Sequence, residues 1–156
     1  MEIRRLEPTA AERYLRELWV PYMRELEEMI QDIALASELD LNEELAFQRA
    51  RLDAQDHCGW VAVADETFVG FVIGGIDAAP VTFERPDRLE IADLYVRPQD
   101  RGTGVAEQLI ERALEWGRSR ACDTAQLTVD VDNDRAMALY ERLGFEPARF
   151  ILRRAL

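Results

Sequence analysis

The sequence predicts an α/β chain of the α+β type, with a mostly antiparallel sheet and one strand–helix–strand crossover. Three observations predict it. Two apolar, β-rich runs flank the dipeptide Asp65-Glu66, which is the pattern of a hairpin. A β-branched and aromatic run at 89–96 passes through Gly102 and Gly104 into an amphipathic segment and then a further strand, which is the pattern of a crossover. The first third of the chain spaces its apolar residues helically.

The elements follow in order. Residues 3–6 form a short first strand. Thr9-Ala10-Ala11-Glu12 is a capping box that starts a helix. Leu15, Leu18, Trp19, Tyr22, Leu26, Met29, Ile30 and Ile33 continue it at helical spacing. Pro21 lacks an N–H, so a kink or a division into two helices is expected there. Asn42 caps a further helix, with Glu43 and Glu44 in its first turn and Leu45 and Leu52 facing inward. Residues 59–64 and 67–76 are the hairpin strands. Residues 77–88 carry two prolines and mixed charge and read as a surface loop. Residues 89–96 are a strand. The helix from Gly104 to about residue 120 buries Ala106, Leu109, Ile110, Ala113, Leu114 and Gly117. Residues 125–131 and 148–153 are the last strands, with a short helix at 133–143 between them.

At 156 residues the chain is long enough for one domain with its own core. No apolar stretch approaches the ~20 residues that span a bilayer, and the charged start lacks a signal-peptide core, so a cytoplasmic location is expected. Cys58 and Cys122 are far apart, and His57 is the sole histidine; no metal site is signalled. Acidic residues number 31 against 19 basic ones, every basic residue is arginine, and the net charge is −12. Nucleic acid and anionic membrane, which need a basic face, are poor partners for such a surface. The acidity suits either cationic amine partners or a very salty cytoplasm, where ions screen self-repulsion. The absence of lysine favours the halophilic reading.

The chemistry concentrates in two segments. The first is Gln99-Asp100-Arg101-Gly102-Thr103-Gly104. A helix beginning at a glycine turn points free amides and a positive helix end at one spot, which suits a phosphate diester. A nucleoside-triphosphate loop would need a lysine, and there is none. A dinucleotide fingerprint would need a glycine where Glu107 stands. Taken alone, the segment is also an ordinary strand-to-helix turn. The second segment runs from Asn133 to Phe145. Asn133, Ala136 and Tyr140 share one helix face, with the amide and the phenol roughly 10 Å apart along the axis. Gly144 ends that helix. Taken alone, Tyr140 reads as a core aromatic.

Together the two segments resemble the GCN5-related N-acetyltransferase (GNAT) superfamily. Gln99-x-x-Gly102-x-Gly104 is similar to its acyl-CoA pyrophosphate loop, and Asn133-x-x-Ala136-x-x-x-Tyr140-x-x-x-Gly144-Phe145 to its pantetheine and thiol helix. The resemblance covers residues 60–150 and implies a six- to seven-stranded sheet flanked by helices, with the strands at 89–97 and 125–131 splayed apart. It implies a division into acceptor-side helices (1–58), an acyl-CoA-binding core (59–145) and a C-terminal strand (146–156). Acetyl-CoA is the implied co-substrate, with no metal, and a homodimer is implied as an option.

The resemblance also places the site. The pantetheine arm would pair with strand backbone at Leu94, Tyr95 and Val96. Main-chain amides of Arg101, Gly102, Thr103, Gly104, Val105 and Ala106 would grip the pyrophosphate beside Gln99. Asn133 would hydrogen-bond the pantetheine amides, with Ala136 allowing close approach. Arg97, Arg101 and Arg135 could add charge-assisted contacts. Acyl transfer to an amine needs a held donor, a neutral amine and a protonated leaving thiolate. Tyr140 is placed as the acid for the thiolate, and a strand amide would stabilise the tetrahedral oxyanion. Glu90 or Asp93 is the candidate base; strand alternation sets them on opposite faces unless a bulge intervenes. The expected activity is transfer of an acetyl group from acetyl-CoA to a primary amine of a small molecule or polyamine, by direct attack through a tetrahedral intermediate. The alternatives are a protein N-terminal acetyltransferase and a non-catalytic acyl-CoA-binding module.

Overall fold

The structure is a computed structural model and describes residues 1–156 apart from 31, 32 and 37. One sheet of five strands runs β1 (Glu2–Arg5), β2 (His57–Ala64), β3 (Thr67–Asp77), β4 (Arg88–Val96) and β5 (Thr124–Leu127), in that spatial order. All neighbours are antiparallel except β4 and β5, which are parallel. The β2–β3 turn is closed by Asp65 and Glu66, with φ of 47° and 62°. Two consecutive left-handed residues fit a two-residue hairpin, because their twist matches that of the strands.

Among the described residues five α-helices flank the sheet: α1 (Ala11–Tyr14), α2 (Val20–Met29), α3 (Leu41–Asp53), α4 (Val105–Ser119) and α5 (Asp134–Arg142). One face of the sheet packs against α1 to α3 through Leu6, Tyr14, Leu18, Leu52, Phe71, Ile73 and Tyr95. The other packs against α4 through Val72, Leu89, Ile91, Leu109, Ile110 and Ala113. The predicted inward residues of α4 are thus its buried stripe, with Ala106 and Leu114 half-buried beside them.

Several local expectations are corrected. In place of six to seven strands, the sheet has five among the described residues, because residues 146–156 form no strand. Phe150, Ile151 and Leu152 in that segment are exposed. The capping box at Thr9 is not formed. Pro8 seeds a single 3₁₀ turn, Pro8–Ala10, and α1 starts after it without a side-chain cap. Near Pro21 the helix is divided into α1 and α2, but the division falls ahead of the proline. A π turn, Leu15–Trp19, joins α1 to α2, with the Val20 N–H bonded to the Leu15 carbonyl. That turn absorbs the missing donor just ahead of the proline. α2 ends at Met29, and Ile30 is already extended, so Ile33 lies beyond it. The cap of α3 is Asp40, which accepts from the amides of Asn42 and Glu43 at 3.1 and 3.0 Å; the aspartate two residues earlier displaces Asn42 from that role.

β5 is four residues long, where seven were expected. The reason lies in β4. Ile73 pairs with Asp93 and Gly74 with Ile91, so Ala92 is an extra, bulged residue. Pairing of β4 with β5 ends at the same place, at Ile91 and Leu127. Beyond it the two strands separate, as the family resemblance implies.

Candidate functional site

The gap between the separated strands is a cavity of about 250 Å³. Ala92–Val96 form one wall and Thr128–Asp130 the other. Gly102, Val105 and Ala106 lie at one end, Asn133, Ala136 and Tyr140 along α5, and Tyr22, Glu25 and Leu26 close it from α2.

One end of the cavity is built by the loop after β4. Gly102 and Gly104 have φ of 75° and 84°, and Gly104 is the N-cap of α4 with no side-chain cap. Only glycine holds such angles without strain. A helix whose cap lacks a side-chain acceptor leaves its first-turn amides open to an external anion. Gln99 and Thr103 are exposed and do not line the cavity, and the Thr103 hydroxyl donates to the Asp100 carbonyl at 2.7 Å. Arg101 folds back into the cleft. Its Nε donates to the Val96 carbonyl at 2.9 Å, and its Nη2 donates to both Glu25 oxygens at 2.8 and 2.7 Å. Arg135 donates to Glu25 at 2.6 Å, and Arg97 lies 3.9 Å from Glu17. The arginines assigned to phosphate are therefore already engaged by carboxylates. Partial burial pushes the Glu25 carboxyl up, but the hydrogen bonds from Arg135 and Arg101 outweigh it and leave the group below its usual value.

Asn133 is the N-cap of α5: its side-chain oxygen accepts from the Ala136 N–H at 3.1 Å. Only its amide nitrogen is left to donate elsewhere. Gly144, at φ 85°, closes the helix, with the Phe145 N–H bonded to the Tyr140 carbonyl at 2.9 Å. The Tyr140 ring stands edge-on to Phe145, 5.7 Å between centroids. Burial first, and the charge of Asp93 second, push its phenol up to about 12.

The bulge at Ala92 decides the question of the two carboxylates. Glu90 pairs with Gly75 and Asp93 with Ile73, so both lie on the face of α1 to α3. Asp93 lines the cavity with Tyr140, and Glu90 does not. Asp93 is also held: Arg51 of α3 donates to it at 3.1 Å, with both side chains mostly buried. Tyr22 lines the same cavity, and burial first, then the charge of Asp93, raises that phenol. Glu90 has no cation paired to it among the described ion pairs; burial raises its carboxyl against a hydrogen bond from Gln126. Tyr95, 6% exposed, packs its ring against Tyr22 and Phe71. Sequence reasoning passed over Tyr22 except as a helix-spaced apolar residue, and gave no sign of Glu25 or Arg51. Their partners are 71, 76 and 42 residues away, respectively, beyond any spacing rule. Among the described residues no His/Cys/Asp/Glu cluster could hold a metal, and no helix is long and apolar enough to cross a membrane.

The site is thus a mixed sheet split at a bulge, with a glycine-capped helix at one end of the split and a tyrosine-bearing helix along it. The chain belongs to the acetyltransferase (GNAT) family, whose pattern it matches over residues 13–145. It is 34% identical over 96 residues to the uncharacterized N-acetyltransferase YjgM of Escherichia coli, covering 62% of this chain and 55% of that protein. It is 27% identical over 109 residues to an aminoglycoside N(6')-acetyltransferase type 1 of Salmonella typhimurium, covering 65% and 70%. An uncharacterized N-acetyltransferase of Methanocaldococcus jannaschii, MJ1207, matches at 33% over 98 residues, 56% of this chain and 42% of that one. The chain thus spans about half the length of YjgM and MJ1207. Among solved structures, a mutant of the BH1408 protein from Bacillus halodurans superposes with TM-score 0.86 at 25% identity, over 100% and 99% of the two chains. The aminoglycoside acetyltransferase AAC(6')-Iy, in complex with a CoA bisubstrate analog, shares the fold at TM-score 0.76 and 23% identity, over 99% and 97%.

Proposed function

We propose that the chain is an N-acetyltransferase that moves an acetyl group from acetyl-CoA to a primary amine of a small molecule or polyamine. The observation that carries this is one continuous cleft. It joins the amides of an uncapped α4 N-terminus to the Tyr140 phenol and the Asp93 carboxylate. The family membership and the relatives named for aminoglycoside acetylation support an amine acceptor of small size.

In this reading the amides from Gly102 to Ala106 hold the diphosphate, and the β4 backbone at Leu94 and Val96, freed from β5, aligns the pantetheine arm. The Asn133 amide nitrogen donates to the arm from the opposite wall. Tyr140 gives its proton to the departing thiolate; a phenol held near 12 stays protonated at every working pH. Asp93, fixed by Arg51, accepts a hydrogen bond from the amine and orients its lone pair. Glu90, on the same face, is the second candidate to collect the amine's proton, through water. Substrate-side selection falls to α2, α3 and the 77–88 loop.

Thiol release from acetyl-CoA, screened with small amines, amino acids and peptides at high salt, tests the proposal. Release with polyamines or amino sugars supports it. Release only with peptides would replace it by N-terminal acetylation, and saturable coenzyme binding with no release would make the chain a binding module.

A further inference from the structure

Glu25 is the feature of the cleft that the family pattern does not explain. It stands on α2, and its carboxylate takes three charge-assisted bonds of 2.6 to 2.8 Å, two from Arg101 and one from Arg135. One cation belongs to the loop before α4, the other to the first turn of α5. Glu25, Arg101 and Arg135 line the same cavity as Gly102, Val105 and Ala106. The Glu25 and Arg101 side chains are only 22% and 23% exposed, so this is not a solvated surface pair. A carboxylate in that position repels an incoming diphosphate. The guanidiniums it holds are the groups best suited to bind phosphate oxygens.

We propose that Glu25 is an internal counter-anion that competes with the coenzyme's diphosphate for Arg101 and Arg135. The proposal rests on the reading of the cleft as an acyl-CoA site. When the diphosphate enters, the guanidinium bonds pass from carboxylate to phosphate oxygens, and Glu25 turns away. When the coenzyme leaves, Glu25 takes the bonds back. No covalent bond changes, and one anion replaces another beside the same two cations. The exchange also reaches the Asp93 side of the cleft, because Tyr22, which lines that cleft with Asp93, lies one turn earlier on the same helix as Glu25. Glu25 thus determines how tightly the coenzyme is held and how readily it departs, a step that often limits turnover.

The test is calorimetry with coenzyme A on the wild-type chain, Glu25→Gln and Glu25→Asp, in salt at which circular dichroism shows each folded. Loss of the negative charge should tighten coenzyme A binding in Glu25→Gln by about tenfold, within the range over which coupled sites act on each other. Its dissociation rate, from stopped flow, should fall in proportion. Glu25→Asp, which draws the carboxylate back by one methylene, should shift the same way by less, and it carries the test where Glu25→Gln does not fold. Equal or weaker binding by a folded variant overturns the proposal and leaves Glu25 a staple between helices. A wild-type chain giving no heat with coenzyme A would instead overturn the acyl-CoA reading itself.

Discussion

Replacing Tyr140 with phenylalanine removes one oxygen and leaves the ring in place against Phe145. The phenol lines the cleft and is pushed up to about 12, so wild-type Tyr140 is a neutral donor throughout the range in which the assay runs. A positioned acid typically contributes about 10²- to 10⁴-fold, or roughly 3 to 5 kcal/mol of barrier at 1.36 kcal/mol per tenfold. We therefore expect single-turnover thiol release in Tyr140→Phe to slow by at least about a hundredfold. Coenzyme A affinity by calorimetry should stay within about twofold, because the phosphate end belongs to the α4 N-terminus, a different element, and makes no use of the hydroxyl. The same substitution has a signature in stability. The fold favours the neutral phenol, since its folded value stands above the unfolded value near 10. Stability from this group is complete below pH 10 and is lost as pH climbs from 10 through 12, on the order of 3 kcal/mol in all. Tyr14 and Tyr22 are shifted the same way, so the measurement is a difference: Tyr140→Phe should lose less stability than wild type over that interval. An unchanged single-turnover rate would refute the acid role, whatever the stability data show.

Asp93→Asn should reduce kcat/KM for the amine more than Glu90→Gln does, by about tenfold or more, because Asp93 alone of the two lines the cleft; the reverse order in initial-rate assays would move the acceptor site toward β5. Gly104→Ala places a side chain at φ 84°, which costs about 1–2 kcal/mol and disturbs the amide cradle. We expect a melting temperature lower by several degrees and weaker coenzyme A binding by calorimetry; unchanged binding would mean the phosphate is held elsewhere. With a net charge of −12 and no lysine, the chain should lose helical circular dichroism as KCl is lowered from molar to millimolar, and a flat signal would remove the halophilic reading.

Periodicity and turn chemistry carried most of the fold. The hairpin around Asp65-Glu66, the buried stripe of α4 and the glycine stop at Gly144 are local properties, and each is present. What spacing could not supply was which of two adjacent signals wins. Asp40 outcompetes Asn42 as a cap, and Pro8 converts the Thr9 capping box into a 3₁₀ turn. The expected strand at 148–153 has the right residue types but no ladder to join, and strand propensity without a partner does not make a strand. In the site, the amide loop and the Asn133–Tyr140 stripe were legible because each is built from neighbours in sequence. Arg51 on Asp93, Tyr22 beside Asp93 and Glu25 on two arginines are long-range pairings between elements, visible only once α2 and α3 are laid over the sheet.

One inserted residue links these two kinds of information. Without a bulge, Ile91 and Asp93 would share a face, and the carboxylate would point toward the α4 core. Ala92 resets the alternation, so that Ile91 stays in the core under α4 while Asp93 turns to the opposite face, toward Arg51 and Tyr22. The same residue stands where pairing to β5 ends, and a bulge bends and twists its strand. Past that bend β4 keeps its pairing with β3 but has lost its partner on the β5 side, so the groups on that edge must find other hydrogen bonds, as the Val96 carbonyl does from Arg101. A ligand with amide groups along its length satisfies that requirement better than water held in a narrow cleft, because it orders both walls in one binding event. The acidic residue and the exposed strand edge therefore do not need separate evolutionary or physical explanations. A single register shift produces the slot, supplies its unsatisfied backbone and turns a carboxylate toward its far end, where Tyr140 stands.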